Sequence, residues 1–255
     1  MTPVLQDYAN RFNLDLNQQV FSSFFTQLDS SQFVQELPYL FDIDSFCLRL
    51  LEALICGHKI CIYSDFDTDA TTATGVMYWG LLDLGFAKEN LSFYVPDRFT
   101  EGYGLNPQSI SQLADNCDLI ITVDCGINST LEADICQNKR ADLIITDHHH
   151  LTAELPNCIA VCNPRLAEYY SSNQTSIKNP QISPNLNNKL SPDKLNYLKQ
   201  FISDISTRQR QLVTDYQSHN SLSPSVTGVG TAWFCLVWLG YFLDGAVGGI
   251  EDKHR

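Results

Sequence analysis

The sequence predicts an α/β fold, a parallel sheet with helices on both faces, from two observations. Short apolar runs alternate with segments of helical periodicity from residue 58 onward, the order typical of a parallel sheet. The runs are continuously apolar, as expected for strands that are covered on both faces. The predicted strands are residues 59–64, 91–96, 119–123, 143–146 and 159–162. The predicted helices between and after them are residues 71–84, 107–114, 129–138 and 230–243.

The regions before and after the predicted strands differ in composition. Apolar residues recur at helical spacing near the N-terminus, for example at Phe21, Phe24 and Leu28. Residues 171–192 are dominated by Ser, Asn, Pro and Gln, which predicts a loop or a disordered insert, with an amphipathic helix expected after it, over about 193–216. The expected organisation is a helical segment over 1–57, an α/β core over 58–164, a polar and partly disordered insert over 165–224, and a last, truncated helix of the core over 225–255.

Charge and cysteine content narrow the class of protein. The formal net charge of −13 argues against a large nucleic-acid-binding surface, which is usually basic. Nine cysteines without paired spacing predict reduced thiols in the cytoplasm rather than disulfides or a zinc site. No signal peptide is visible, and the longest apolar run, residues 231–243, is too short to span a bilayer. We therefore expect a cytoplasmic protein with no membrane partner.

Acidic residues and histidines follow three of the predicted strands at the point where each strand ends. The first strand leads into Asp65, Asp67 and Asp69, the third into Asp124, and the fourth into the run from Asp147 to His150. Ligands of open parallel sheets gather at the carboxyl ends of the strands. The sequence therefore predicts that these carboxylates and imidazoles meet at one edge of the sheet.

Such a cluster needs positive charge, because carboxylates a few ångströms apart repel one another. Carboxylates with imidazoles suit Mn²⁺, with Mg²⁺ as the alternative, and a pair of such ions can serve a phosphoryl displacement. Each signal also has an ordinary interpretation. Asp124 alone could be a turn residue, the first acidic run a solvated loop, and the histidines a surface feature. Their occurrence at successive strand ends favours a two-ion metal site.

Three segments resemble the motifs of a known family. Residues Asp65–Ala70, Val123–Ile127 and Thr146–His149 are similar, in order, to the first three motifs of the DHH phosphoesterases. Residues Val95–Leu105 and Ser225–Gly230 resemble two segments of the RecJ branch of that family. The resemblance implies metal ligation by Asp67, Asp69, Asp124 and His148, with Asp65 as an additional carboxylate.

The resemblance also implies roles beyond the metal ligands. Asp147 would hold a histidine and fix its tautomer, and His149 would face the phosphate as a proton donor or electrostatic stabiliser. His150 receives no role. The nucleic-acid side would be lined by Arg98, Gly102, Tyr103 and Gly104.

The activity implied is metal-dependent hydrolysis of phosphodiesters, releasing 5′-mononucleotides from the 5′ end of single-stranded DNA. A single-strand binding protein would be a plausible partner. Two alternatives remain open: a non-catalytic scaffold or binding protein with this fold, and another DHH enzyme, namely an oligoribonuclease, a cyclic-dinucleotide phosphodiesterase or a pyrophosphatase. The Gly-Tyr-Gly-Leu segment and Asp65 favour the RecJ branch.

The sequence departs from the family pattern in three ways. Ala70 and Cys125 stand where Gly and Asn are common, and the insert over 165–224 is unusually long. A fourth motif, which would complete the metal site, and a following DHHA1 domain are not found. We therefore expect an N-terminal fragment that need not be active alone, and whose missing parts could lie on a separate downstream chain.

Overall fold

The computed structural model describes residues 40–152, 154–173, 180–219 and 226–248. These residues belong to the second of two compact units of the chain, which begins at Pro38. The segment expected to be helical covers residues 1–57. Residues 1–39 of it lie outside the described part of the chain.

Five parallel strands form one sheet in the order β2-β1-β3-β4-β5. The α/β prediction is confirmed, and the strands lie within a few residues of their predicted positions. Both central strands β1 and β3 are buried at every position, which explains their continuously apolar sequences. The strands are β1 Ile60–Ser64, β2 Leu91–Tyr94, β3 Leu119–Val123, β4 Asp142–Thr146 and β5 Ala160–Cys162.

The register brings four strand ends level with one another. Ser64 pairs with Val123, Val123 with Thr146, and Thr146 with Cys162. Each of these residues is the last of its strand, so the residues that follow form a row along the carboxyl edge of the sheet. This row is the framework on which the candidate site is built.

Helices cover both faces of the sheet. Helix α8 packs against both α1 and α2, and α3 packs against α4. The helices are α1 Ile43–Cys56, α2 Thr68–Asp83, α3 Pro107–Ala114, α4 Thr130–Lys139, α5 Leu166–Asn173, α6 Pro184–Lys189, α7 Pro192–His219 and α8 Gly228–Leu243. A short 3₁₀ turn at Lys88–Asn90 precedes β2, and a π-helical turn at Asp244–Gly248 follows α8.

The polar region between β5 and α8 contains more structure than its composition predicts. Helix α6 lies where a loop or disordered insert was expected. It forms because the Ser183 hydroxyl accepts a hydrogen bond from the Leu186 amide, Pro184 occupies the first turn, and Leu186 is buried. Helix α7 confirms the amphipathic pattern and buries Leu198, Phe201 and Ile205. Residues 174–179 and 220–225 lie outside the described part of the chain.

The final helix is longer than its apolar run suggested. The helical stretch Gly228–Ala246 is long and apolar enough to cross a membrane when judged by length and composition alone, but 50% of it is buried inside the protein. Residues 231–243 were expected to form a buried helix, and Trp238, Leu239 and Phe242 are indeed buried. The stretch therefore behaves as a core helix of the fold.

Candidate metal centre

Three carboxylates follow level strand ends and are almost completely buried. Asp65 follows β1, Asp124 follows β3 and Asp147 follows β4, and none is more than 2% exposed. Asp124 turns away from its strand with φ of 60°, a left-handed conformation that is uncommon outside glycine. The row predicted from the sequence is therefore present.

Two further carboxylates reach the same edge from the start of α2. Asp67 is the N-cap of α2, and its Oδ1 accepts a hydrogen bond of 2.9 Å from the Ala70 amide. Both oxygens of Asp69 accept hydrogen bonds of 2.8 Å from the amides of Gly228 and Val229, in the first turn of α8. The beginning of α8 therefore holds Asp69 in place.

His148 connects the carboxylates of two elements. Its Nε2 atom lies 3.0 Å from Oδ1 of Asp124 and 3.9 Å from Oδ2 of Asp69. Ligand atoms of Asp124, His148 and His149 all lie within 4.8 Å of one another. Asp124 and His148 are therefore close enough to share one cation, with His149 beside it.

Two buried carboxylate oxygens of the centre have no hydrogen-bond partner among the described residues, namely Oδ1 of Asp65 and Oδ1 of Asp124. The Nε2 atom of His148 is close to the latter but does not meet hydrogen-bond geometry. Leaving buried charged oxygens without partners is costly. A divalent cation would satisfy both atoms, so the donor set fits a metal ion.

Asp147 differs from the neighbouring carboxylates because both of its oxygens accept hydrogen bonds from protein groups. Its Oδ1 accepts hydrogen bonds from the amides of His148 and His149, at 2.7 and 3.1 Å, and lies 2.7 Å from Nδ1 of His149. Its Oδ2 accepts a hydrogen bond of 3.0 Å from the Ile127 amide. Asp147 therefore orients His149, as expected, and leaves the Nε2 atom of that ring facing outward, 3.5 Å from the Tyr103 hydroxyl.

Burial dominates the electrostatics of the centre. Burial, and then the neighbouring charges of Asp69 and Asp67, raise the pKa of Asp124 to about 7. Burial also raises the pKa of Asp65. The pKa of His148 is lowered, first by burial and then by His149, whereas the hydrogen bond to Asp147 raises the pKa of His149. Burial therefore favours the neutral form of His148, whereas Asp147 favours the protonated form of His149.

The residues expected to contact nucleic acid lie on a loop that reaches the same edge. The guanidinium of Arg98 lies over the rings of Phe66 and Phe99, at 5.1 and 5.7 Å from their centroids. Gly102 and Gly104 both have positive φ, of 81° and 83°, which lets the loop turn on either side of Tyr103. A cleft of about 570 Å³ separates this loop from the histidines, and its lining includes Tyr103, Gly104, Gly126, Asn128, His149 and His150.

Sequence reasoning gave no role to Gly228, although it is in contact with the centre. A Cβ atom at Gly228 would lie 2.2 Å from Oδ1 of Asp124. The residue must therefore be glycine if α8 is to approach closely enough for its amides to hold Asp69. The only signal in the sequence is the Gly-Val-Gly start of an apolar helix, which does not identify Asp124 as its neighbour.

Comparisons with known proteins identify the family of this chain. Residues 59–198 match the family model described as DHH family, N-terminal domain. The single-stranded-DNA-specific exonuclease RecJ of Bacillus subtilis (strain 168) is 42% identical over 118 residues, which are 46% of this chain and 15% of that protein. The RecJ exonuclease of Salmonella typhimurium (strain LT2) is 37% identical over 135 residues, covering 52% and 23%. The chain thus spans less than a quarter of the length of these relatives.

Among solved structures, RecJ from Thermus thermophilus in complex with Mn²⁺ is similar at a TM-score of 0.49 and 22% identity, over 78% of this chain and 21% of that one. The family model covers more than half of the chain and includes the strands that carry Asp65, Asp124 and Asp147. The chain therefore belongs to the DHH family, whose N-terminal domain it contains.

Proposed function

We propose that this chain carries the metal centre of a phosphodiesterase that removes nucleotides from the 5′ end of single-stranded DNA. The observation that carries the proposal is the convergence of Asp69, Asp124 and His148 at the carboxyl edge of the sheet, with buried carboxylate oxygens of the centre that lack partners among the described residues. The choice of substrate rests on relatives that are named single-stranded-DNA-specific exonucleases.

The proposed ligands are Asp65, Asp67, Asp69, Asp124 and His148, and the proposed ions are two Mn²⁺ or Mg²⁺. Imidazole together with carboxylates favours Mn²⁺. Bound ions would lower the pKa of water and offset negative charge on the phosphoryl group. The protein contributes rigidity, because α8 fixes Asp69 through two amides.

His149 is the proposed proton-bearing group. Its Nδ1 is engaged by Asp147, which orients the ring, and its Nε2 faces the cleft. The hydrogen bond to Asp147 raises the pKa of His149, so that more of the imidazole carries a proton near neutral pH. A proton at Nε2 could then be donated to an oxygen of the phosphate or stabilise its charge.

Arg98 and the turn from Gly102 to Gly104 form the proposed substrate side. Tyr103 is 65% exposed and Phe99 is 89% exposed, so aromatic faces are available to unpaired bases. The net charge of −13 argues against a large basic surface, so the proposed contacts are confined to this loop.

The proposed organisation is a core over 58–164 completed by residues 225–255 and interrupted by the insert over 165–224. We place the protein in the cytoplasm. A single-strand binding protein and a chain or region carrying the fourth motif and a DHHA1 domain are proposed partners.

The test is a nuclease assay with Mn²⁺ on single-stranded DNA labelled at either end, using this chain alone and joined to any downstream sequence. We expect 5′-mononucleotides to appear first from the 5′ label. Cleavage of pyrophosphate, short RNA or cyclic dinucleotides but not of single-stranded DNA would assign the site to another DHH reaction. Metal binding without any hydrolysis, even in the joined protein, would favour a non-catalytic scaffold.

A further inference from the structure

The three consecutive carbonyl groups of the histidine run are each held by a side chain from outside the run. Nε of Arg165 donates a hydrogen bond of 2.8 Å to the His148 carbonyl. Nδ2 of Asn163 donates one of 3.0 Å to the His149 carbonyl, and Nδ2 of Asn128 donates one of 3.0 Å to the His150 carbonyl. No regular secondary structure supplies these contacts, because His148–His150 belong to no helix or strand.

The donors are themselves fixed. Asn163 directly follows β5 and is completely buried, and its Oδ1 accepts a hydrogen bond of 2.8 Å from the Arg165 amide. Oδ1 of Asn128 accepts hydrogen bonds from the amide and the hydroxyl of Thr152, at 2.8 and 2.9 Å. The two asparagines therefore join the histidine run to the ends of β5 and β3.

The amide side of the run is held as firmly as the carbonyl side. Asp147 accepts hydrogen bonds from the amides of His148 and His149, so the backbone around both rings is fixed from two directions. Ring positions depend on this backbone, and the two imidazole centroids lie 4.4 Å apart. A shift of the peptide groups would move Nε2 of His148 away from Asp124, which lies 3.0 Å from it.

We infer that Arg165, Asn163 and Asn128 are positioning residues of the metal centre, acting through the carbonyl groups of His148, His149 and His150. The inference rests on the proposed function, because it assigns these residues to the same centre. Partners that orient metal ligands typically change metal affinity by about 10- to 100-fold when they are replaced. The effect should be largest at Arg165, which holds the carbonyl of the proposed ligand His148, and at Asn163, which holds the next carbonyl and also accepts a hydrogen bond from the Arg165 amide. It should be smaller at Asn128, whose partner carbonyl is two residues from that ligand.

The test is a titration of the whole chain with Mn²⁺, followed by electron paramagnetic resonance. Arg165→Lys keeps the charge but loses the planar Nε donor. Asn163→Leu has a similar size and makes no hydrogen bond. We expect the Kd for Mn²⁺ to rise about 10-fold or more in each. Coupling of Mn²⁺ to an imidazole nitrogen, measured by pulsed resonance, should weaken in both variants.

Matched controls separate positioning from general damage. Arg140→Lys changes an exposed arginine at the end of α4, and its Kd should equal the native value. Asn128→Ala should raise the Kd for Mn²⁺ modestly. Its control is Asn116→Ala, which should leave that Kd unchanged, because the Asn116 side-chain amide donates its hydrogen bond of 2.8 Å to the Gln112 carbonyl, outside the histidine run. Thermal unfolding without metal identifies any variant that fails to fold. If Asn163→Leu fails, Arg165→Lys decides the question.

The outcomes distinguish this inference from the proposed function. A native chain that binds no Mn²⁺ contradicts the proposed function, and the positioning role with it. A native chain that binds Mn²⁺, with Arg165→Lys equal to it in Kd and in nitrogen coupling, overturns the positioning role alone.

Discussion

The carboxylates at the two edges of the sheet differ in whether the protein supplies them with partners. At the amino edge, Arg49 pairs with Asp142 at 2.6 Å, and its remaining nitrogens contact Nδ1 of His58 at 3.1 Å and the Asp118 carbonyl at 3.3 Å. The side chain of Asp118 accepts a hydrogen bond from the Lys59 amide. Both carboxylates of the amino edge therefore have partners within the protein.

At the carboxyl edge, no lysine or arginine in the described part of the chain lies within 4.0 Å of the side chains of Asp65, Asp69 or Asp124. The pKa of Asp124 is raised to about 7 as a result of burial and of the neighbouring carboxylates. The difference supports the proposed cation site at the carboxyl edge, whereas the carboxylates described at the amino edge have partners within the protein. The following experiments test this contrast.

The largest effect is expected from the histidine run. His148→Ala removes a proposed ligand and should lower Mn²⁺-dependent hydrolysis roughly a thousandfold or more, in whichever form of the protein is active. Asp67→Ala should act similarly. His150→Ala, two residues further along, should retain most of the rate. Near-normal hydrolysis in His148→Ala would contradict the ligand assignment.

A smaller effect is expected from Gly228→Ala, which adds a Cβ atom 2.2 Å from Oδ1 of Asp124. The overlap should weaken Mn²⁺ binding about 10-fold and lower the free energy of unfolding by about 1–3 kcal/mol. Gly75→Ala, inside α2 with nothing within 4 Å of the added atom, should instead raise stability by up to about 1 kcal/mol. Calorimetric titration and thermal unfolding measure both. Equal behaviour of the two variants would show that α8 does not press on the centre.

At the amino edge, Arg49→Met should affect stability and leave Mn²⁺ binding unchanged. Arg49 has 7% of its side chain exposed and Asp142 has 41%, so the carboxylate can recover water when the cation is lost. We expect the free energy of unfolding to fall by about 1–2 kcal/mol in urea denaturation. A change in metal affinity would mean that the two edges are not independent.

The smallest effect concerns pH. Asp44 lies on α1, the helix that carries Arg49, and burial raises its pKa to about 7. The folded state then holds a proton that the unfolded state releases above its ordinary pKa of 3.8, so this contribution to stability is present below pH 4 and is lost as pH rises through 7. Asp44→Asn should reduce the fall in stability between pH 6 and pH 7 by about 1 kcal/mol. The measurement is the free energy of unfolding from denaturation curves at several pH values. If its dependence on pH is the same in Asp44→Asn and the native chain, Asp44 does not have the raised pKa assigned to it.

Much of the candidate site could be predicted from sequence because its signals are local. Apolar runs locate the strands, and the residue after each run must then lie at the carboxyl edge, as Asp65, Asp124 and Asp147 do. Partners brought together by folding could not be predicted. The Asp69 carboxylate meets amides that are 159 and 160 residues away, and Arg49 meets Asp142 across 93 residues.

Composition predicted a loop or a disordered insert where the structure has helix α6, because a few residues determine that helix. Residues around 184–189 are mostly polar, yet one buried leucine, one proline and one capping serine suffice for α6. The cap is a pattern that a search for Ser-Pro at helix starts could have found.

The dependence of Asp69 on the first turn of α8 has a consequence for synthesis. A ribosome that has reached the end of α7 has already made all five strands, but not the two amides that hold this carboxylate. Val229 is ten residues beyond the end of α7, so at translation rates of about 5–20 residues per second the ribosome needs about 0.5–2 seconds more to synthesise both amides. Capture of the proposed ions should therefore follow the emergence of α8 from the exit tunnel, after the whole sheet has been synthesised.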